Sequence, residues 1–456
     1  MLGYAHPLFV LATRDPIPET ATTARSLALG GAPASSGMAD DALTSPATLL
    51  WGRGTDVVLS GGPFLYSRRE PPATPAFLFA QSGGFLARSV LEETTASTSP
   101  VLYASVATRH PWWAAAAFLD ASDRYEHPFT TTSALVGANQ SGHAAFLNVT
   151  ATGSAGVSES ITRVGGALAF APVNNHLALG VAVYALHLQY RAMSTLGETW
   201  RGEDFPGGPV DATETEAIAF DGWQPGWVAS ASVRIVPAFS VSARWQHEPQ
   251  FSTTRTSFRR QAPSSPAPRF PIDASLSAAA QIELPDTLGV AAVVATAHTT
   301  FVADAARVSY GDLFQPEARN CGNVFSPLCD GWGWLRTLPA SAGIDPLLAG
   351  GLVVGTSDAI VVRGGLEQAI PAGRGRVLLR GGLAIVQGHA LAEALPDYAP
   401  AVPTAPGSGP EFPARENVMT WSGGVAYTWG KMEIGAALAA GGGRTRVLAD
   451  LRVRVP

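Results

Sequence analysis

The sequence predicts an all-β fold: a membrane-spanning antiparallel β-barrel of about fourteen strands with an N-terminal plug, or hatch, inside its lumen. Three observations predict it. Apolar and polar residues alternate with period two along segment after segment, most clearly towards the C-terminus. Connections alternate between tight turns and long polar stretches. Charge is scarce: 14 % of the 456 residues are charged, against about 25 % in ordinary soluble chains. Yet no run of about twenty apolar residues would make a helical span. In lipid, a closed barrel is the remaining way to pair every backbone amide.

Taken in order, residues 1–24 are polar, aperiodic and proline-containing, and read as a tail. Met1–Asp15 lacks the basic start of an export leader, while the fold expected here requires export. Arg25–Trp51 is short, glycine-rich and unlike anything after it, and reads as the plug. The expected division is therefore 1–51 for tail and plug and 52–456 for the barrel.

Period-two segments start at Asp56. In Met419–Trp429 one face carries Met419, Trp421, Gly423, Val425, Tyr427 and Trp429, and the other Thr420, Ser422, Gly424, Ala426 and Thr428. Aromatics spread along the apolar face suit interfacial girdles. Val447–Val455, Val377–Ile385 and Phe239–Trp245 repeat the pattern, with arginine on the opposite face. A soluble β-sandwich gives the same alternation, but a sandwich of this length needs domain breaks that the sequence lacks. Tight turns are expected at Arg109–Pro111, Pro172–Asn175, Val236–Ala238, Thr296–Thr299, Pro371–Gly375 and Gly430–Lys431. Long loops are expected at Asp123–Ser158, Ser194–Glu216, Pro249–Asp273, Asp312–Gly351 and His389–Glu416. In Val181–Tyr190 the apolar phase slips from Val181/Val183 to Leu186/Leu188, which suggests a bulge or a misassigned strand.

The order of these features resembles the FadL/TodX family of outer-membrane transporters of long-chain fatty acids and other hydrophobic compounds. The pair Gly30–Gly31, the run Ala39-Asp40-Asp41-Ala42 and Ser45-Pro46-Ala47 look like that family's hatch, with Ser45 where the family usually has asparagine. Leu284-Pro285-Asp286-Thr287-Leu288-Gly289 looks like its segment before a membrane strand. Gly226–Glu248 and Asp358–Ala384 resemble two of its hairpins. The resemblance implies a fourteen-stranded barrel, a hatch, capture of an apolar ligand outside and release sideways through the wall.

The chemistry is of a binding kind. The sequence holds no H-E-x-x-H, P-loop, G-x-S-x-G or dinucleotide fingerprint, and its nine histidines lack metal-ligand spacing. No enzyme, cofactor or metal is expected, and a net charge of −6 argues against nucleic acid. Arg234, Arg244, Arg363, Arg376 and Arg380 fall in the inward phase, as do Arg446, Arg452 and Arg454, with Glu248, Glu367 and Asp450 among them. Their guanidinium groups suit a ligand carboxylate. They equally suit lumenal acids or the plug, where Asp40 and Asp41 are the expected partners. Cys321 and Cys329 are spaced as a loop-closing disulfide. Phe325, Trp332 and Trp334 around them suit apolar capture, loop packing or contact with outer-leaflet lipid. The expected partners are a hydrophobic small molecule and outer-membrane lipid or lipopolysaccharide. The function expected is passive uptake of hydrophobic small molecules. The rival readings are an adaptor barrel for secretion or surface machinery, and a general porin.

Overall fold

The computed structural model describes residues 21–33, 37–66, 86–93, 97–138, 146–173, 176–201, 210–261, 274–309, 314–316, 358–387, 417–441 and 444–455. Cys321, Cys329, Phe325, Trp332 and Trp334 lie outside these residues, as does nearly all of the expected tail.

Eighteen strand segments form one sheet. Four pairs of consecutive segments continue one another, because both members of each pair bond to the same neighbouring strand. Fourteen strands result. They are β1 (Thr55–Tyr66), β2 (Leu86–Glu93 and Ser97–Arg109), β3 (Trp113–Ala138), β4 (Phe146–Val173) and β5 (Leu177–Arg201). Next come β6 (Val210–Val236), β7 (Phe239–His247 and Gln250–Gln261), β8 (Ala274–Glu283 and Asp286–Ala295) and β9 (Thr299–Ser309 and Phe314–Pro316). The last are β10 (Ala359–Ala372), β11 (Gly375–Val386), β12 (Val418–Trp429), β13 (Met432–Gly441) and β14 (Arg444–Val455). Each is antiparallel to its neighbours. β1 pairs with β14 from Thr55↔Val455 to Tyr66↔Arg444, so the barrel closes. Closure leaves no strand edge to satisfy in lipid.

All six expected tight turns fall between strands at one rim, where β1 begins and β14 ends. The expected long loops are partly corrected. β3 to β6 run for 26, 28, 25 and 27 residues, so most of Asp123–Ser158 and Ser194–Glu216 is strand. A barrel strand needs about ten residues to cross a bilayer. At about 3.3 Å per residue these four reach roughly 85 Å, so they project far beyond the membrane. Outside lipid both faces of a strand tolerate polar residues, which is why these extensions read as loops in the sequence.

The outer face follows the expected phase. Val181, Val183, Trp245, Leu288, Val290, Val362, Trp421, Val425, Ile434 and Leu438 are exposed, while their strand neighbours are buried or half-buried. On this chain exposure of large apolar residues in a continuous band means contact with lipid. Aromatics mark its two borders. Trp112, Phe170, Tyr427 and Trp429 lie near the tight-turn rim, and Trp223, Trp245 and Trp421 lie near the other.

The phase slip in β5 is not a bulge. The strand pairs with β6 without interruption from Leu177↔Val233 to Trp200↔Val210. Val181 and Val183 point to lipid, whereas Leu186, Leu188 and Tyr190 point inward. Outward positions turn polar at the same level: His187 stacks on Trp223 at 4.6 Å, and Gln189 and Arg191 are exposed. The hydrophobic face changes sides where the strand leaves the bilayer, since above it the water is outside and the apolar packing inside.

Candidate functional site: a segment across the lumen and an apolar inner face

Residues 21–51 are almost wholly buried among the described positions. Among the described residues burial already includes Ala21–Thr23, ahead of Arg25. Helix α1 (Ala24–Ala28) has a capping box: Thr23 accepts from the Ser26 amide, and the Thr23 amide donates to Ser26 Oγ at 3.0 Å. It ends at Gly30 and Gly31, at φ 74° and 76°, in the left-handed region that glycine adopts freely. The Gly31 amide reaches back to the Ser26 carbonyl at 2.8 Å. Helix α2 (Asp41–Thr44) follows, and then a 3₁₀ helix, Pro46–Trp51, that Pro46 opens.

This segment meets the wall in three directions. Ala24, Leu27 and Ala28 pack on Ala437 and Ala439 of β13 and Leu448 of β14. Leu29 and Ala32 pack on Val293 of β8 and Val302 of β9. Ala39, Ala42, Leu43 and Leu49 pack within a cluster that includes Val58, Tyr103, Phe118 and Ala182, on β1, β2, β3 and β5. Wall glycines allow the approach. A Cβ on Gly382 would lie 2.3 Å from the Gly30 amide nitrogen, and one on Gly180 2.2 Å from that of Ala47.

Charge pairs join the segment to β10–β14. Arg25 donates twice to Glu367, at 3.0 and 3.2 Å. Arg380 bonds the same carboxylate at 2.7 Å and Glu433 at 2.7 Å. Arg452 reaches Asp40 at 3.2 Å and lies 3.7 Å from Glu433. The Arg25 amide donates to Asp450 at 3.3 Å. Removing one member of such a buried network leaves a charge uncompensated, at a cost of about 3–5 kcal/mol.

Asp41 does something else. It accepts the Gly37 amide at 2.7 Å and the Thr48 hydroxyl at 3.0 Å, and so folds the segment on itself. Burial, with Asp40 alongside, pushes its carboxyl up to about 6. At the other end the Ala47 amide donates to Ser230 Oγ at 2.8 Å, and Trp51 Nε1 to Ser232 Oγ at 2.9 Å. Arg234 lies over the Trp51 ring, 4.2 Å from its centroid. Arg109 donates to the Leu49 carbonyl at 2.9 Å and pairs with Asp56, whose other oxygen accepts the Ala39 amide at 3.0 Å. Arg109 and Arg25 are joints that sequence reasoning missed. Both stand at the end of an alternating run or outside one, so periodicity does not mark them.

The other arginines expected in the lumen divide. Arg244 and Arg363 both bind Asp304, at 2.6 and 2.9 Å. Arg446 is buried, and Arg376 and Arg454 are exposed at the tight-turn rim. Ser45 is buried at the turn between α2 and the 3₁₀ helix, where its side chain makes no cap bond and its carbonyl accepts from Thr48.

Above this segment, the inner face of β4–β8 carries one buried apolar cluster, Ile161, Leu186, Leu188, Tyr190, Phe220, Phe251 and Leu284, with the buried Glu159, Arg163, Gln246 and Glu248 on the same face. The Tyr190 and Phe220 rings meet edge-on at 6.0 Å. Below them Arg163 is bonded by Asp120 and Glu248.

The chain is a closed antiparallel barrel of fourteen strands with an N-terminal segment inside it, and this is the fold of a solved FadL homologue. Two solved structures share the fold over nearly the whole chain. One is a FadL homologue of Pseudomonas aeruginosa, with a TM-score of 0.56 and 10 % identity over 95 % of this chain and 98 % of that one. The other is the CymD monoaromatic hydrocarbon channel, with a TM-score of 0.51 and 14 % identity over 94 % and 98 %. No family model and no curated protein matches the sequence.

Proposed function

We propose that the protein is a bacterial outer-membrane channel for passive uptake of hydrophobic small molecules, with residues 21–51 as the hatch. The observation that carries this reading is the apolar cluster on the inner face of β4–β8, placed above a charge-latched segment. A water-filled diffusion pore has a polar lumen, and a barrel used only for docking has no need of an apolar inner strip. The two structural neighbours, named as a monoaromatic hydrocarbon channel and a FadL homologue, agree with it. The lumenal arginines serve the hatch and the wall in this reading, because Arg380, Arg452 and Arg25 are bonded to acids there. Catalysis has no part in it.

The test is uptake of a labelled aromatic hydrocarbon and a labelled fatty acid by vesicles containing the purified full chain, beside liposome swelling in sugars. Entry of at least one lipophile without swelling is expected. Asp40→Ala, which frees Arg452 from the hatch, should raise basal conductance. Swelling in the unaltered protein would favour a general porin, and no entry of either lipophile through an intact barrel would favour an adaptor.

A further inference from the structure

The tight-turn rim carries an unbalanced charge. Arg53, Arg374, Arg376, Lys431 and Arg454 are exposed there, in a chain whose formal net charge is −6. They fall on one arc of the ring, from the turn between β10 and β11 to the start of β1. Arg374 and Lys431 stand at the tips of tight turns, each directly after a glycine, Gly373 at φ 56° and Gly430 at φ 55°. Arg376 follows the first tip and stands in register with Thr428. The Lys431 carbonyl accepts the Arg454 amide at 2.8 Å, which sets those residues side by side.

Among the described residues, no acid is exposed at this rim. Asp56 and Glu433, the acids near it, are buried and paired with Arg109 and Arg380. Nor does any of the five basic side chains have a hydrogen-bonded or ion-paired partner among the described residues. The remaining turns differ: His110, His176 and His298 are exposed on them, and Arg234 lies over the Trp51 ring. Like charges gathered in this way repel one another until an anion neutralises them. The arc also borders lipid. Tyr427 and Trp429 stack at 5.6 Å on the outer face of β12, just before the Lys431 turn. Ile370, just before the Arg374 turn, is 43 % exposed. Long basic side chains beside interfacial aromatics reach the headgroup level.

We propose that this arc binds the phosphates of anionic phospholipid in the inner leaflet; the inference rests on the outer-membrane placement above. Short turns mark the periplasmic rim of such a barrel, and phospholipid forms the leaflet on that side. Guanidinium groups take a phosphate through paired, charge-assisted bonds. Each basic residue beside an anionic surface contributes about fivefold to affinity. An acidic protein would meet the same charge, but Tyr427, Trp429 and Ile370 next to the cations suit a lipid rather than a soluble partner.

The experiment titrates the full chain, in micelles of a neutral detergent, with short-chain phosphatidylglycerol or phosphatidylcholine and counts bound lipid by native mass spectrometry. The expected result is phosphatidylglycerol bound about fivefold tighter or more, with the preference shrinking as salt is raised. Arg374→Gln with Lys431→Gln alters only exposed turn tips and should cut the preference several-fold. Adding Arg53→Gln, Arg376→Gln and Arg454→Gln should abolish it. Equal binding of the two lipids by the unaltered chain overturns the proposal without any variant, as does a preference that survives all five substitutions. Polyglutamate bound more tightly than phosphatidylglycerol overturns it in favour of an acidic protein. Lipophile uptake by the turn-tip variant should match that of the unaltered chain, so the two readings fail separately. Absent uptake with the lipid preference intact overturns the channel alone.

Discussion

Asp40 and Asp41 are neighbours in the chain with different work. Asp40 faces Arg452 on the wall, while Asp41 faces the amide and hydroxyl groups of its own segment. The sequence marks both as acids that could meet lumenal arginines, and spacing alone does not separate them, since the difference arises from a turn at Gly37. The raised carboxyl of Asp41 has a consequence with a definite sign. A docked segment that holds the Asp41 proton more tightly than a released one is favoured at low pH. That contribution is complete below about pH 4, fades as pH rises to about 6 and is then absent. Single-channel records in planar bilayers should show more closed time at pH 4.5 than at pH 7, and Asp41→Asn should remove that difference. An unchanged pH response in the variant would sink the assignment.

At the scale of elements, the membrane strands and tight turns were legible because lipid imposes strict alternation on a strand about ten residues long. The upper halves of β3–β6 were not, because water outside and packing inside relax that rule. In the segment inside the barrel, the positive-φ turn at Gly30–Gly31 and the helix opened by Pro46 were legible, whereas the burial of Ala21–Thr23 was not: these residues are small, and only the Thr23 cap marks them. Arg163, Asp120 and Glu248 gave no local signal as a group, since three strands bring them together. If the hatch must shift for a ligand to pass, fixing it to the wall should stop passage. The Ala47 amide lies 2.8 Å from Ser230 Oγ. Ala47→Cys with Ser230→Cys, in a chain whose Cys321 and Cys329 are serine, should lose lipophile uptake on oxidation and regain it with dithiothreitol. Full uptake in the oxidised form would show that the ligand bypasses this contact.

For the whole molecule, the lipid band sets the orientation and most of the sequence bias. Val183 stands on that band, 57 % exposed, and the adjacent Ala182 is buried against the lumen. Val183→Arg should destabilise the folded barrel by about 2–4 kcal/mol. Equilibrium unfolding in urea from vesicles would measure it, and a loss below about 0.5 kcal/mol would place Val183 outside the hydrocarbon, since surface substitutions cost no more than that.

The pairing of β1 with β14 joins strands almost four hundred residues apart in the chain. Residues 21–51 lead straight into β1 and lean on β13 and β14. The seam strand β14 therefore also supplies part of the ionic seat of residues 21–51, through Arg452 and Asp450. The Arg452–Asp40 pair ties residues 21–51 to the strand that closes the barrel.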